Sequence, residues 1–165
     1  MKTSAHRSFF RPLLASLLMA PLWVALPAEA QEGSATRLSR GEAVMSRLSG
    51  GAGQPVLNAM KQDFPFLAEA ITAYSLGDVW SRPVLDDRTR QLATVAAFAA
   101  QGNLATLKVH AGYALRLGAT PDELKEIVYL TTVTAGFPRA IDAAQALREV
   151  FAAQSAGTPS TAPAR

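Results

Sequence analysis

From Ser39 onwards, apolar side chains recur at steps of three and four residues, which is the spacing of one face of an α-helix. Signals for helix ends interrupt this pattern. Thr120-Pro-Asp-Glu123 has the form of a capping box, and glycine follows an apolar run at Gly102, Gly118 and Gly136. No stretch alternates convincingly with the two-residue period of a strand. The pattern predicts an all-α protein, a compact bundle of six to seven helices with short loops.

Local signals predict where several helices begin and end. Ser39-Arg-Gly-Glu42 predicts the start of the first long helix, Asp63 the cap of a third helix, and Gly77 its left-handed end. Pro83 disfavours the α conformation of the residue before it, so residues 80–85 are predicted to be an extended connector. Predicted caps of later helices are Asp86 or Asp87, and Asn103. The inward-facing residues include Phe66, Leu67, Tyr74, Val95, Ala99, Leu124, Val128, Ile141 and Leu147.

The first 30 residues have the composition of a secretory signal peptide. Lys2, Arg7 and Arg11 precede an apolar stretch from Leu13 to Leu26, and Ala28-Glu-Ala30 supplies the small residues of a cleavage site. The apolar stretch is shorter than the roughly 18 to 20 residues that span a bilayer. We therefore expect cleavage after Ala30 and a mature protein that is periplasmic or secreted, without a membrane anchor.

The remaining chain divides into one domain and a short tail. Residues 31–154 are predicted to form a single helical domain with its core at residues 80–151, and the Ser/Thr/Ala/Pro-rich residues 155–165 are predicted to be disordered. Three basic residues and one acidic residue lie in the first 30, so the net charge falls from +3 to +1 without them. No basic cluster remains, and we expect no binding to nucleic acid.

Residue types that are missing from the sequence exclude several kinds of chemistry. There is no cysteine, hence no disulfide, no thiol nucleophile and no thiolate metal ligand. His110 is the only histidine after residue 30, so one subunit cannot build a zinc site with two histidine ligands. We expect neither a metal nor another cofactor.

His110 is the principal candidate for a functional residue. It borders an apolar stripe, three residues after Leu107 and four before Ala114, with Thr106 and Tyr113 as its neighbours on the same helix face. The spacing leaves two interpretations open. One is a half-buried histidine that packs at a helix or subunit contact, and the other is a general acid or base, since imidazole titrates near neutral pH.

Two stretches together carry a more specific pattern. The first is Trp80-x-Arg82-Pro83-x-Leu85-Asp86-x-Arg88-Thr89-Arg90 followed by Leu92-Ala-Thr-Val-Ala-Ala97, and the second is Thr134-Ala-Gly-Phe-Pro-Arg-Ala140. The chain from about Trp80 to Phe151 resembles the carboxymuconolactone decarboxylase family. The resemblance implies a fold related to the alkylhydroperoxidase D-like proteins and a homo-oligomer, either a trimer or a hexamer, with sites near the subunit contacts.

Two activities occur in that superfamily. In the thiol peroxidase (peroxiredoxin-like) branch, two cysteines and a glutamate accompany the histidine; aligned on His110, these positions hold Asn103, Thr106 and Gln91, so that activity is disfavoured. The decarboxylase branch keeps a histidine that matches His110, but commonly has a glutamate where this chain has Thr106. By this correspondence, His110 lacks the partners that the family would provide.

The resemblance implies a lyase-type enzyme that needs no cofactor and acts on a small carboxylated or lactone-like substrate. His110 would be its general acid or base, because a carbanion left by decarboxylation must be protonated. The alternative is a non-catalytic protein that uses the same fold to bind a small molecule or to support an assembly.

Three further residues are candidates for substrate binding. Arg82 can hold a carboxylate, because a guanidinium group binds carboxylate oxygens in pairs. Trp80 can line a pocket, and Tyr113 can donate a hydrogen bond from its phenol. Arg90, by contrast, is expected to pair with one of the aspartates at positions 86–87.

Overall fold

The computed structural model describes residues 28–157, and side chains from residue 33 to residue 156. The described residues form seven α-helices and one π-helical segment and contain no strand, which confirms the predicted all-α class. The signal peptide predicted for residues 1–30 lies outside the described residues except for its last three positions, and residues 158–165 lie outside them too. The elements are α1 (Ala28–Ser49), α2 (Pro55–Asp63), α3 (Pro65–Ala70), the π segment (Ile71–Trp80), α4 (Asp87–Gln101), α5 (Leu104–Arg116), α6 (Pro121–Thr134) and α7 (Phe137–Gly157).

Helix α1 begins well before the predicted capping box at Ser39. It packs along the π segment, and Arg37 and Arg40 both bind the carboxylate of Asp78 there. Contacts with the π segment thus extend to residues before Ser39, which local sequence signals do not show. The predicted start of the first long helix at Ser39 is therefore wrong. Since α1 already includes residue 28, cleavage after Ala30 would remove the first three residues of this helix.

The π segment and α1 approach each other closely because glycine lies at both contact points. A Cβ atom at Gly77 would lie 2.2 Å from the carbonyl oxygen of Arg37, and one at Gly41 would lie 1.9 Å from that of Thr72. Gly77 is therefore buried inside a helical segment rather than at a left-handed helix end, and that prediction is wrong. Its function is to admit the neighbouring backbone.

Residues 80–85 also differ from the extended connector that was predicted for them. Trp80 is the last residue of the π segment, which closes with the amide of Ser81 donating to the carbonyl of Leu76, and the chain then turns rather than extends. Asp63 ends α2 instead of capping α3, which starts at Pro65. Helix α7 continues through residues 155–157, so the predicted boundary of the tail is too early.

The C-terminal half follows its sequence signals. Asp86, Asn103 and Thr120 cap α4, α5 and α6 with their side chains, and Glu123 completes the capping box. The predicted stops have the positive φ that glycine tolerates, namely 73° at Gly102, 91° at Gly118 and 85° at Gly136. The ends of these helices are therefore defined by residues next to them in the sequence, namely the capping side chains and the glycines.

Buried apolar residues form two clusters. The larger lies among α4, α5, α6 and α7 and contains Val95, Ala99, Leu107, Ala111, Leu124, Ala143 and Leu147. The smaller lies among α1, α2, α3 and the π segment and contains Val44, Leu48, Leu57, Ala68 and Leu76. Within the described residues, no helix has the length and apolar character that crossing a membrane requires.

Several residues predicted to face inward are exposed instead. In α7 the buried face runs through Ala140, Ala143 and Leu147, so that Ile141 projects outwards and is 55% exposed. A set of exposed apolar side chains consequently lies on the last turns of α6 and the first turns of α7. We call it the α6–α7 patch; its members are Tyr129, Leu130, Val133, Phe137 and Ile141. Three further residues that were predicted to face inward are also exposed, namely Phe66, Leu67 and Tyr74.

Candidate functional site

His110 projects from the middle of α5 towards α4 because the rest of the helix is fixed by its buried face. Leu107, Ala111 and Ala114 on that face are fully buried against the larger core cluster. Asn103 caps the start of the helix, where its side chain accepts a hydrogen bond from the amide of Thr106. The rotation of α5 is thereby set, and it places the imidazole at the border between the two clusters.

The imidazole has a buried partner on α4. Its Nδ1 lies 2.8 Å from Oε1 of Gln91, a residue that is completely buried. With the amide turned so that Oε1 faces the ring, the oxygen accepts and Nδ1 carries the proton, while Nε2 of Gln91 is buried without a hydrogen-bond partner among the described residues. The other ring nitrogen, Nε2, is then unprotonated. The family correspondence predicted that His110 lacks a partner at position 91, because a glutamine replaces the glutamate there. That prediction is wrong, since Gln91 itself contacts the imidazole.

Aromatic side chains surround the imidazole. The ring of Trp80 is stacked with it at 5.7 Å between centroids, Phe98 is tilted at 5.3 Å, and Tyr113 meets it edge-on at 5.9 Å. The three rings come from the π segment, α4 and α5. They restrict how the imidazole can rotate and keep most of it away from water.

This apolar environment determines the charge of His110. Burial lowers the pKa of His110 from its ordinary value of 6.5 to about 4, because an imidazolium ion would lose its hydration among aromatic rings. Gln91 is neutral and supplies no charge that would oppose this effect. At neutral pH the ring is therefore uncharged.

A cavity of about 610 Å³ opens beside the imidazole. It lies between α1, α2, the π segment, α4 and α5, and its walls are mostly aliphatic and aromatic. Its polar groups belong to Gln54, Ser75, Thr94, Thr106, His110 and Tyr113, together with the indole of Trp80. None of the 17 described residues that line it is charged. Cavities of this size and composition are typical of small-molecule sites.

The structure brings three of the four residues predicted for the site together. Trp80, His110 and Tyr113 all line the cavity. The phenol of Tyr113 contacts Sδ of Met45 at 3.8 Å, and burial raises its pKa above the ordinary value, so it remains a proton donor.

Arg82 is not brought into this group. Its side chain is exposed and does not line the cavity. The predicted pairing of Arg90 with an aspartate is wrong, because Arg90 donates instead to the backbone carbonyls of Arg82 and Leu85 and lies over the ring of Trp80 at 5.9 Å from its centroid. Asp87 pairs with Arg47 of α1. Arg90 therefore fixes the turn after the π segment and, with it, the position of Trp80.

Gln91 is the functional residue that sequence reasoning missed. The family comparison did identify its position as that of the peroxidase glutamate, and the helical spacing of α4 predicts that it lies near the apolar face. Those two signals together could have placed it beside His110. They were not decisive, because a sequence does not show which turn of α4 meets which turn of α5.

The structure is thus an all-α fold with an uncharged cavity beside a buried, neutral histidine. The sequence model of the carboxymuconolactone decarboxylase family matches residues 65–149. This chain belongs to that family.

Individual relatives agree with the family match. Over 95 residues the chain is 38% identical to the 4-carboxymuconolactone decarboxylase of Acinetobacter baylyi, covering 58% of this chain and 69% of that protein. It is 35% identical over 91 residues to the nitrosuccinic acid decarboxylase of Metarhizium robertsii, covering 53% of this chain and 64% of the relative. An uncharacterized protein of Methanocaldococcus jannaschii is 29% identical over 94 residues, which are 57% of this chain and 87% of that one.

The lowered pKa of His110 predicts a pH dependence of folding. Between pH 6.5 and pH 4 the unfolded chain binds a proton at this histidine while the folded chain does not, so the free energy of unfolding falls as the pH decreases through this range. The loss attributable to His110 is about 3 kcal/mol. Urea unfolding gives the free energy of unfolding of the native protein and of His110→Gln at pH 7 and at pH 4.5. The contribution of His110 is the amount by which the native protein loses more of this free energy between the two pH values than the variant does.

Gln91→Glu provides the complementary variant. A carboxylate beside Nδ1 favours the imidazolium, so the pKa of His110 should rise and its contribution to the pH slope should shrink. Gln101→Glu, at an exposed position of the same helix, serves as the control and should leave the slope unchanged. Equal pH slopes for the native protein and His110→Gln would show that the imidazole is not held neutral by burial.

Proposed function

We propose that this protein is a cofactor-independent, lyase-type enzyme in which His110 transfers a proton as general base and then as general acid. Its substrate is a small lactone-like or carboxylated molecule bound in the cavity beside the imidazole. The observation that carries the proposal is the contact between Nδ1 of His110 and Oε1 of Gln91 beside a mostly apolar cavity that His110 lines; with the proton on Nδ1, this contact leaves Nε2 unprotonated.

The hydrogen bond supports this role because it defines which nitrogen reacts. With Nδ1–H directed at Gln91, only Nε2 can take a proton from a carbon next to a carbonyl group. The electron pair of the broken C–H bond then moves into a dienolate, and Nε2 returns its proton to another carbon of the same system. Where CO₂ leaves instead, the substrate enters as the carboxylic acid and Nε2 takes the carboxyl proton. The electron pair of the broken C–C bond moves into the dienolate as CO₂ leaves, and Nε2 returns the proton to carbon.

The low pKa of His110 fits a base that gives its proton back quickly. An imidazolium formed among Trp80, Phe98 and Tyr113 is poorly solvated, so the protonated ring is a strong acid. The resting protein holds the neutral ring, whereas the protonated ring exists only after it has taken a proton from the substrate. The names of two relatives, a 4-carboxymuconolactone decarboxylase and a nitrosuccinic acid decarboxylase, indicate the substrates to assay first.

His110→Ala tests the proposal. The protein is incubated in D₂O with 4-carboxymuconolactone, nitrosuccinate and unsaturated lactones without a carboxylate, and proton NMR follows both product formation and exchange of carbon-bound protons. We expect turnover or exchange of at least one lactone, reduced about 10²- to 10⁴-fold in His110→Ala. Lys108→Ala is the control, since Lys108 lies on the same helix outside this cavity and pairs with Glu149.

Two results would contradict the enzymatic proposal. One is turnover that is equal in the native protein and His110→Ala. The other is saturable binding of a ligand to the native protein without exchange or turnover of any compound. The second result would support the alternative, a non-catalytic protein that binds a small molecule in the same cavity. The feature that favours this alternative is Thr106, which stands where the decarboxylase branch commonly has a glutamate, so that His110 lacks that acidic partner.

We also propose that the protein is a homo-oligomer, either a trimer or a hexamer, with the α6–α7 patch at a contact between copies. Each of its five apolar side chains is more than half exposed in the single chain, and an exposed apolar patch is typical of an interface. We expect light scattering to give the mass of three or six chains.

Val133→Asp is the variant for this test, because Val133 is 83% exposed and its replacement leaves the core intact. It should reduce the oligomer mass, whereas Glu126→Gln, at another exposed position of α6, should not. A native protein that is monomeric at micromolar concentration would overturn the proposal.

Finally, we propose that the protein is exported and cleaved after Ala30, on the strength of the composition of residues 1–30. N-terminal sequencing of the exported product should find Gln31 as the first residue. Ala30→Phe should prevent cleavage, since the signal peptidase needs a small residue there. Retention of the uncleaved native chain inside the cell would contradict export.

A further inference from the structure

We propose that Arg90 is the cation that binds a carboxylate of the ligand, and that this carboxylate remains on the product. The inference rests on the proposed function and deepens it, because it assigns a specificity-determining residue and divides the ligand into a charged end and a reacting end. It follows from a buried guanidinium nitrogen without an acceptor and from the position of Arg90 beside the cavity.

Arg90 lies on the face of α4 that forms part of the cavity wall. Thr94 and Phe98 line the cavity, and Arg90 precedes them by one and two helical turns. Its guanidinium lies over the indole of Trp80 at 5.9 Å from the ring centroid, and the same indole lines the cavity and stacks on His110. Arg90 itself is not among the described lining residues, so it stands just beyond the cavity, next to Trp80.

One donor of this guanidinium has no acceptor. Nη2 donates to the backbone carbonyls of Arg82 and Leu85 at 2.7 and 3.1 Å, whereas Nε is buried without a hydrogen-bond partner among the described residues. A buried donor without an acceptor destabilises a protein, and the effect is larger when the donor belongs to a charged group. A ligand that supplies the acceptor removes this cost, and a carboxylate forms the strongest hydrogen bonds with a guanidinium.

The turn before α4 can make room for such a ligand. Nε is shielded from solvent, so a carboxylate must displace a neighbouring group to reach it. Residues 82–86 are all exposed, and the two hydrogen bonds from Nη2 of Arg90 hold this turn. Nε and Nη2 lie on the same edge of the planar group, so two carboxylate oxygens can take Nε together with one donor of Nη2.

Three other basic residues around the site are less suited to this role. Arg82 and Arg116 are exposed, and Lys108 is already paired with Glu149. A pair between exposed ions gains little, because water and salt screen the attraction. Arg90 is partly buried and the adjacent indole shields it on one side, so a carboxylate bound there is held more strongly.

Binding at Arg90 determines which carboxyl group of the ligand can react. A guanidinium stabilises the charged form of a carboxylic acid and lowers its pKa, so the group at Arg90 stays ionised at neutral pH. The decarboxylation proposed for His110 begins with a protonated carboxyl group, which is therefore a different one. The ligand carries a retained carboxylate in addition to the carbon that reacts at His110, as in a lactone with a carboxylated side chain.

The Nε–H group of Arg90 provides a direct test by heteronuclear NMR of the full chain. Muconolactone, a butenolide with one carboxymethyl side chain, and its methyl ester form a matched pair that differs in charge at pH 7. The resonance is identified by its loss in Arg90→Lys. We expect muconolactone to move it downfield in a saturable way and the ester to leave it unchanged. The Nε–H of Arg88, which pairs with Glu123 on α6, is the control and should not move.

Calorimetry then separates binding by Arg90 from its structural role at the turn. Arg90→Gln should raise the dissociation constant of muconolactone about 10- to 100-fold and change that of the ester by less than about threefold. Arg88→Gln removes the same charge from α4 at a position outside the cavity and should change neither constant.

Three outcomes would overturn the inference. One is an Arg90 Nε–H resonance that neither muconolactone nor nitrosuccinate moves. Another is equal weakening of acid and ester in Arg90→Gln, which would show that Arg90 only positions Trp80. The third is binding of the acid that is lost in Arg82→Gln or Arg116→Gln but retained in Arg90→Gln. Equal turnover in the native protein and His110→Ala would contradict the proposed function and leave these binding results unchanged.

Discussion

The close packing of α4 against α5 is the constraint on which the site depends. Ala99 on α4 and Ala111 on α5 are completely buried, and small side chains at such positions allow two helix backbones to approach closely. This approach brings Nδ1 of His110 within 2.8 Å of Oε1 of Gln91, although 19 residues separate them in the chain.

The N-terminal half completes the site from the other side. Its apolar cluster packs around the π segment, whose last residue, Trp80, stacks on the imidazole. π-helical turns are uncommon and occur frequently at functional sites, where the extra residue redirects a side chain. Here the segment is held by the close glycine contacts with α1 and by the ion pairs of Arg37 and Arg40 with Asp78. Residues far from His110 therefore determine where its aromatic neighbour lies.

Gln91 gives the site an electrostatic character different from that of a histidine paired with a carboxylate. A carboxylate beside Nδ1 would stabilise the imidazolium and raise the pKa of His110, whereas the amide of Gln91 orients the ring without adding charge. Together with the uncharged cavity wall, this makes the whole site neutral at pH 7. The same features support the proton shuttle proposed for His110.

The sequence by itself determined the helical class, most of the helix ends after residue 86 and the family. Capping side chains such as Asp86 and Thr120, and the glycines that follow the helices, act through contacts within a few residues, so the printed order of residues contains them. The sequence also identified Trp80, His110 and Tyr113 as site candidates. It could not place them in one cavity or exclude Arg82 from it. Only the tertiary structure decided the partner of His110, its charge, and the extension of α1, because each depends on which helix faces meet and on how much water they exclude.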